Sequence, residues 1–383
     1  MLSHRVAVVV ALLVAGSTGC GGGTGSSRQV PVTPTGPSGG GGGPVTLTTP
    51  GAVSPVDGEQ LSTLRPTLTV QNTTSSQQTG TRTYEFQVSD RTDFSIGSSL
   101  TAAFLVSVSQ SGVAEGGDGR TSYTVGQDLQ PATRMYWRAR VVQGSSSSSW
   151  SEPAMFRTRL VGYSRAGELY DPLIHSETIG TVSGAHSWIP GRGLRLETEN
   201  SFVQYRLAET IANGEFSVEV EGLHPNGPDH KLKIFSMSDS TGDLTDSNFQ
   251  LSTMYRGIDG NPPNCIAFKA VFGSQNRILE PDRGARNAGI RSLDPSRTYL
   301  WKATWGSEFR LLVLDGGLTG SSIYELGIPA SGGATYRPSP HYAFLGSNQS
   351  VFASDAGTFP GATYRNLWIG NKPRPATLGN ALD

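Results

Sequence analysis

Glu215, Glu219 and Glu221 fall in the stretch EFSVEVEGL (215–223), where Phe216, Val218 and Val220 take the intervening positions. Successive side chains of an extended strand point to opposite faces, so the three acids share one face. Positions two apart are separated by roughly 7 Å, a reach from which paired carboxyls serve as acid and as base or nucleophile in glycoside hydrolysis. These are the candidate catalytic residues. The same spacing also makes the solvated face of an antiparallel sheet, and that is the reading carried forward for them and for Glu197 and Glu199.

A second kind of chemistry is sugar stacking, which needs exposed aromatic rings flanked by polar side chains. Trp188 in HSWIPGRG sits in a Gly- and Pro-containing loop and ranks first; Tyr255, Tyr324, Tyr336 and Tyr342 follow, with Arg256, Arg337 and His341 beside them. Trp301 and Trp368 read as core. The stretch SDSTGDLTDSN (238–248) gathers Asp239, Asp243, Asp246 and Asn248, oxygen donors suited to a hard cation such as calcium. Their spacing is not that of an EF-hand, and a solvated turn is the reading carried forward for them.

Other chemistries are excluded. Cys20 and Cys265 are the two cysteines, so no disulfide framework or Cys/His zinc site is expected, and Cys265 in CIAF reads as a buried strand thiol. A formal net charge of -1 offers no basic field for nucleic acid. No Gly-rich phosphate loop joins a strand to a helix, and the Gly-x-Ser-x-Gly at Gly36, Ser38 and Gly40 lies in a stretch with almost nothing apolar, without the strand and helix that a nucleophile elbow requires.

The elements that must position these groups are extended. Gly at 49 and Pro at 23, with 16% charged residues, describe many turns and few surface helices. Residues 1–20 read as an export signal, with a basic start at His4 and Arg5, an apolar run over 6–15 and small residues up to Cys20. The stretch Ser17-Thr18-Gly19-Cys20 resembles a bacterial lipobox, which implies lipidation of Cys20 and attachment to the cell envelope; Ser17 stands where that family usually has Leu, so plain signal cleavage stays open. Residues 21–44 read as a flexible Gly/Ser/Pro linker.

Two folded segments are expected, over 45–160 and 161–376, with a short tail at 377–383. In the first, TYEFQVS and RMYWRARVV alternate, placing Trp137, Ala139 and Val141 on the core face and Tyr136, Arg138 and Arg140 opposite. The pattern Leu129-x-Pro131-x-Thr133-x-x-Tyr136-Trp137-Arg138-x-Arg140, followed by Trp150-Ser151 and Phe156, resembles a fibronectin type III domain. That resemblance implies a β-sandwich with Tyr136 at the tyrosine corner and the run Ser145–Ser149 at a hairpin tip.

The second segment holds ten strand candidates, from LRLETE (194–199) to YRNLWIG (364–370). Tyr299-x-Trp301-x-x-x-Trp305, Leu311-x-Val313-x-Asp315-Gly316-Gly317 and Asn366-Leu367-Trp368-Ile369-Gly370 resemble the concanavalin A-like lectin and glucanase class, including laminin G-type domains. The expectation is thus an all-β chain: a fibronectin type III-like sandwich, then a concanavalin A-like jelly roll. That class implies carbohydrate binding, with a glycoside hydrolase, a lyase using Tyr336, Arg337, His341 and Tyr342, or a protein-binding adhesin as the rivals.

Overall fold

The computed structural model describes residues 45–383 apart from 77–79, 96–99, 102–103, 225–230, 240–248, 257–264, 273–274, 280–292, 330–339, 349–356, 376–377 and 379–383. Among the described residues the secondary structure is β, with one short 3-10 turn at Gly317–Thr319. No helix among them is long and apolar enough to cross a membrane.

The first sandwich packs the sheet of Ala52–Ser54, Thr67–Gln71 and Arg120–Thr124 on a six-stranded sheet centred on Arg82–Ser89 and Arg134–Gln143. Strict alternation over 134–143 sends Met135, Trp137, Ala139 and Val141 into the core. Tyr136 does not form the expected corner: it stays half-buried on the other face, and the hydroxyl that ties a loop down belongs to Tyr84, which accepts the Thr73 N–H at 2.9 Å. The Ser run is more than a tip. The Val141 and Ala139 N–H groups donate to Ser148 Oγ (3.2 Å) and Ser151 Oγ (3.0 Å), so hydroxyls continue a ladder where strand pairing ends. Trp150 lies outside the core, with Arg138 4.8 Å and Arg140 4.6 Å from its ring.

The larger sandwich stacks a nine-stranded sheet on a seven-stranded one, with antiparallel pairing throughout both. This is the layer arrangement expected of a jelly-roll sandwich. In the nine-stranded sheet, Tyr163–Arg165, Glu168–Asp171, Thr363–Gly370, Gly214–Glu221, Tyr299–Trp305, Glu308–Asp315 and Ser321–Pro329 lie side by side. Phe216 of this sheet stacks on Phe235 of the other, centroids 3.9 Å apart, inside one continuous core that includes Val218, Val220, Trp301, Tyr255 and Ile266. Cys265 is buried beside it, as expected.

Asp171, buried at a strand end, pins the 172–180 loop. It accepts the N–H of Leu173 (3.1 Å) and Ile179 (3.0 Å) and the hydroxyls of Thr178 and, from the opposite sheet, Tyr205 (3.1 Å). Burial nonetheless pushes its carboxyl above the usual carboxylate value, against the pull of these bonds. A raised folded-state pKa contributes stability that is complete below the unfolded value of about 3.9 and is lost as pH rises through the folded value. Asp171→Asn, which lacks this titration, should therefore be most inferior to the wild type near pH 3, and its Tm deficit should shrink towards pH 7. Thermal melts of both proteins across that window check this; a deficit that grows with pH contradicts it.

Candidate functional site

The outward face of the nine-stranded sheet holds a cleft of about 700 Å³. Antiparallel register builds its floor: Ser217 lies across from Lys302, which lies across from Leu312, and Glu219 across from Leu300, itself across from Leu314. Phe216, Val218 and Val220 point the other way, into the core. The three candidate acids therefore do share a face, but it is not solvated. Glu215, Glu219 and Glu221 are 6%, 6% and 7% exposed, because cations from neighbouring strands close over them. Lys302 Nζ sits 2.7 Å from Glu215 Oε2. Arg365 Nε sits 2.7 Å from Glu219 Oε2 and its Nη1 3.3 Å from Glu221 Oε1, while Arg192 and the Thr298 hydroxyl (2.9 Å) also bond Glu221.

Arg365 and Asn366, neighbours in sequence, both line the cleft, which a regular strand forbids. A bulge explains it. Pairing with 214–221 runs from Ser217↔Trp368 to Glu219↔Arg365, one residue more on the 363–370 side, and Asn366 takes a left-handed φ of 54°. Its amide then donates to Glu219 Oε2 (3.1 Å) and accepts the Tyr170 hydroxyl (3.1 Å). The rim is turned by Gly316 and Gly317, both at a positive φ that favours glycine; a Cβ at Gly317 would stand in ordinary contact, 3.4 Å, with Glu219 Oε1. Leu318, 37% exposed, completes an apolar strip with Leu300, Leu312 and Leu314. On the far side Arg374 bonds the carbonyls of Asn366 (3.1 Å) and Leu378 (3.0 Å), and its backbone N–H reaches Glu215 Oε1 (3.4 Å).

The expected aromatic residues are elsewhere. Tyr255 is fully buried in the core and cannot stack on a sugar, because its strand, Phe249–Arg256, is covered on both faces. Arg256 is half-buried at that strand's end. Trp188 lies on the strand His186–Ile189, half-buried against the large core, and lines a separate cavity with Val182 and Ile179; it is not an open loop platform. Tyr324 is 5% exposed in the core. His341 is exposed and Tyr342 half-buried, their rings 6.3 Å apart on the seven-stranded sheet, away from the cleft. Tyr336 and Arg337 fall outside the described residues, as do Cys20, Asp243 and Asp246; Asp239 is half-buried. Among the described residues no group of three His, Cys, Asp or Glu is placed to hold a metal ion.

The residues sequence reasoning passed over are Ser217, Lys302, Arg365, Asn366 and Arg374. The available signal was weak but real: Asn366 begins the NLWIG stretch, and Ser217 and Lys302 are polar interruptions on the same face as the acids.

Residues 56–162 match the sequence model of the Rha78A-like N-terminal immunoglobulin domain. The first sandwich is immunoglobulin-like. No curated protein matches the chain. Among solved structures it is similar to the exoplasmic/lumenal domain of VIP36 in its Ca2+/Man3GlcNAc-bound form, at 10% identity over 54% of this chain and 91% of that one, TM-score 0.32. It is similar to lectin II from Ulex europaeus at 8% identity over 53% and 97%, TM-score 0.34. It is also similar to the Trypanosoma rangeli sialidase in complex with 2,3-difluorosialic acid, at 12% identity over 67% and 46%, TM-score 0.33. No residue role is carried over from these proteins.

Proposed function

We propose that the chain is an exported, envelope-tethered carbohydrate-binding protein whose saccharide site is the cleft on the nine-stranded sheet. The observation that carries the reading is Ser217: 1% exposed on the cleft floor, its hydroxyl has no hydrogen-bond partner among the described residues. A buried hydroxyl left unpaired costs about 1–3 kcal/mol, a cost a ligand hydroxyl removes on binding. Around it, ion-paired Lys302, Arg365 and Asn366 are held in place before any ligand arrives, and the leucine strip offers an apolar surface to the C–H face of a sugar ring. The volume is that of a small-molecule site. Sugar recognition here runs through preset polar groups and leucines, since no aromatic ring lines the cleft among the described residues.

Hydrolysis is the weaker reading. Glu215 and Glu219 stand four residues apart on one strand, about 13 Å, beyond the roughly 5–9.5 Å that glycosidases use. Glu219 and Glu221 are closer, but one guanidinium clasps both. Export and lipidation at Cys20 are supported by the leader, and the linker over 21–44 would let a tethered site search near the surface.

The test is a glycan panel with the full chain, wild type and Ser217→Phe. The ring fills the floor, so binding to whatever glycan the wild type selects should fall at least about tenfold, a loss of about 1.4 kcal/mol. The circular dichroism should not change. A wild type that binds no saccharide sinks the reading; undiminished binding by Ser217→Phe moves the site elsewhere.

A further inference from the structure

We infer that the saccharide taken by the cleft is acidic, carrying carboxylate or sulfate groups; this rests on the carbohydrate reading above and names its ligand class. In each ion pair along the cleft the acid lies underneath and the cation on top. The Lys302 side chain is 32% exposed against 8% for Glu215, Arg365 22% against 8% for Glu219, and Arg297 54% against 19% for Asp315. An approaching ligand therefore meets more ammonium and guanidinium surface than carboxylate surface.

The fourth cation adds to this. Among the described residues the Arg374 guanidinium bonds the backbone carbonyls of Asn366 and Leu378 and no carboxylate, and its Nε is buried without an acceptor. With the acids that pair to them counted, Arg192, Arg297, Lys302, Arg365 and Arg374 stand against Glu215, Glu219, Glu221 and Asp315, an excess of one positive charge among the described residues, on a chain whose formal net charge is -1. Asp315 and Glu221 lie behind this layer, holding Arg297 and Arg365 in place. Guanidinium forks fit planar carboxylates and sulfate oxygens, and in a recess the attraction is screened less than on an open surface.

The experiment is calorimetric titration of the full chain with two matched pairs: an oligogalacturonide against its methyl ester, and a sulfated disaccharide against its desulfated form. The charged member of at least one pair should bind roughly tenfold or more tightly, the worth of one charge-assisted contact, and the advantage should shrink as salt rises. Which pair discriminates separates carboxylate from sulfate. Arg374→Gln, which breaks no ion pair among the described residues, should reduce the advantage of the charged member several-fold, and an advantage that it leaves undiminished overturns the role of Arg374 in holding the acid. Equal affinity for charged and neutral members overturns the acidic ligand and leaves carbohydrate binding standing. Binding to neither member of either pair, together with a blank glycan panel, overturns both.

Discussion

Arg365→Ala is expected to abolish saccharide binding and to cost the fold about 3 kcal/mol, the low end for breaking a buried ion pair, because the guanidinium is 22% exposed. The arginine neutralises two acids at once. Without it Glu219 keeps the Asn366 amide but no cation, while Glu221 retains Arg192 and Thr298. The damage therefore concentrates on Glu219, a carboxylate already 8% exposed at its side chain. Removing that stranded charge should repair the fold without repairing the site: Arg365→Ala/Glu219→Gln should recover most of the lost stability, measured by urea denaturation, and still fail to bind. If the double variant is no more stable than the single one, Arg365 acts by packing its stem and not by neutralising Glu219. If Arg365→Ala binds normally, the cleft is not organised by this residue.

Leu378→Asp is expected to part the two sandwiches while leaving both folded. Leu378 is 1% exposed in a cluster that joins Ala132 of the immunoglobulin-like domain to Leu160, Tyr163, Tyr170, Ile174 and Trp368, with Phe104 packed against it. Its backbone bridges Thr133, and Gln130 donates to the Tyr163 hydroxyl at 2.7 Å across the same seam. A carboxylate placed there faces apolar side chains, with Arg374, already bonded to the Leu378 carbonyl, as the one cation at hand among the described residues, and burying it costs several kcal/mol. Each sandwich has a separate core of its own, so undocking relieves the charge more cheaply than unfolding does. The wild type should melt in one calorimetric transition and Leu378→Asp in two, with new tryptic cleavage at Arg157 or Arg159. Leu378→Met, which keeps volume and polarity, should behave as the wild type. A single transition in Leu378→Asp at lowered Tm would show that the seam is not the weakest joint.

The seam bears on the cleft as well. Tyr163, Tyr170, Trp368, Ser217, Lys302 and Leu312 form one unbroken row across neighbouring strands; its first three members pack in the seam and its last three line the cleft. The segment through Pro373, Arg374 and Pro375 walls the cleft before the chain reaches Leu378. Leu378→Asp should therefore weaken saccharide binding as well, although it touches no ligand.

Strand positions were legible in the residues alone. FQLSTMYR and YLWKATW are strands with the bounds the sequence suggests, and EFSVEVEGL alternates as read, with Phe216, Val218 and Val220 inward. Alternation works there because a two-residue period survives whatever the strand later packs against. Trp137, Trp301 and Trp368 are buried in cores as read, Trp137 through the alternation of its strand. The strand Ser321–Pro329 escaped notice, and pairing with Glu308–Asp315 holds its Gly327 and Pro329 extended.

What only the tertiary structure decided is which polar face stays wet. Glu215, Glu219 and Glu221 carry the same alternation whether water or another strand faces them, and the residues that bury them, Lys302 and Arg365, arrive from more than eighty positions away along the chain. The bulge that turns Asn366 beside Arg365 depends on register with Gly214–Glu221, which no local pattern encodes. Tyr255 failed as a ligand candidate for the same reason: a strand covered on both faces hides its aromatics, and coverage comes from the assembled sheets. Local period sets where the chain extends, whereas burial, charge pairing and bulges are set by contacts between segments far apart in sequence.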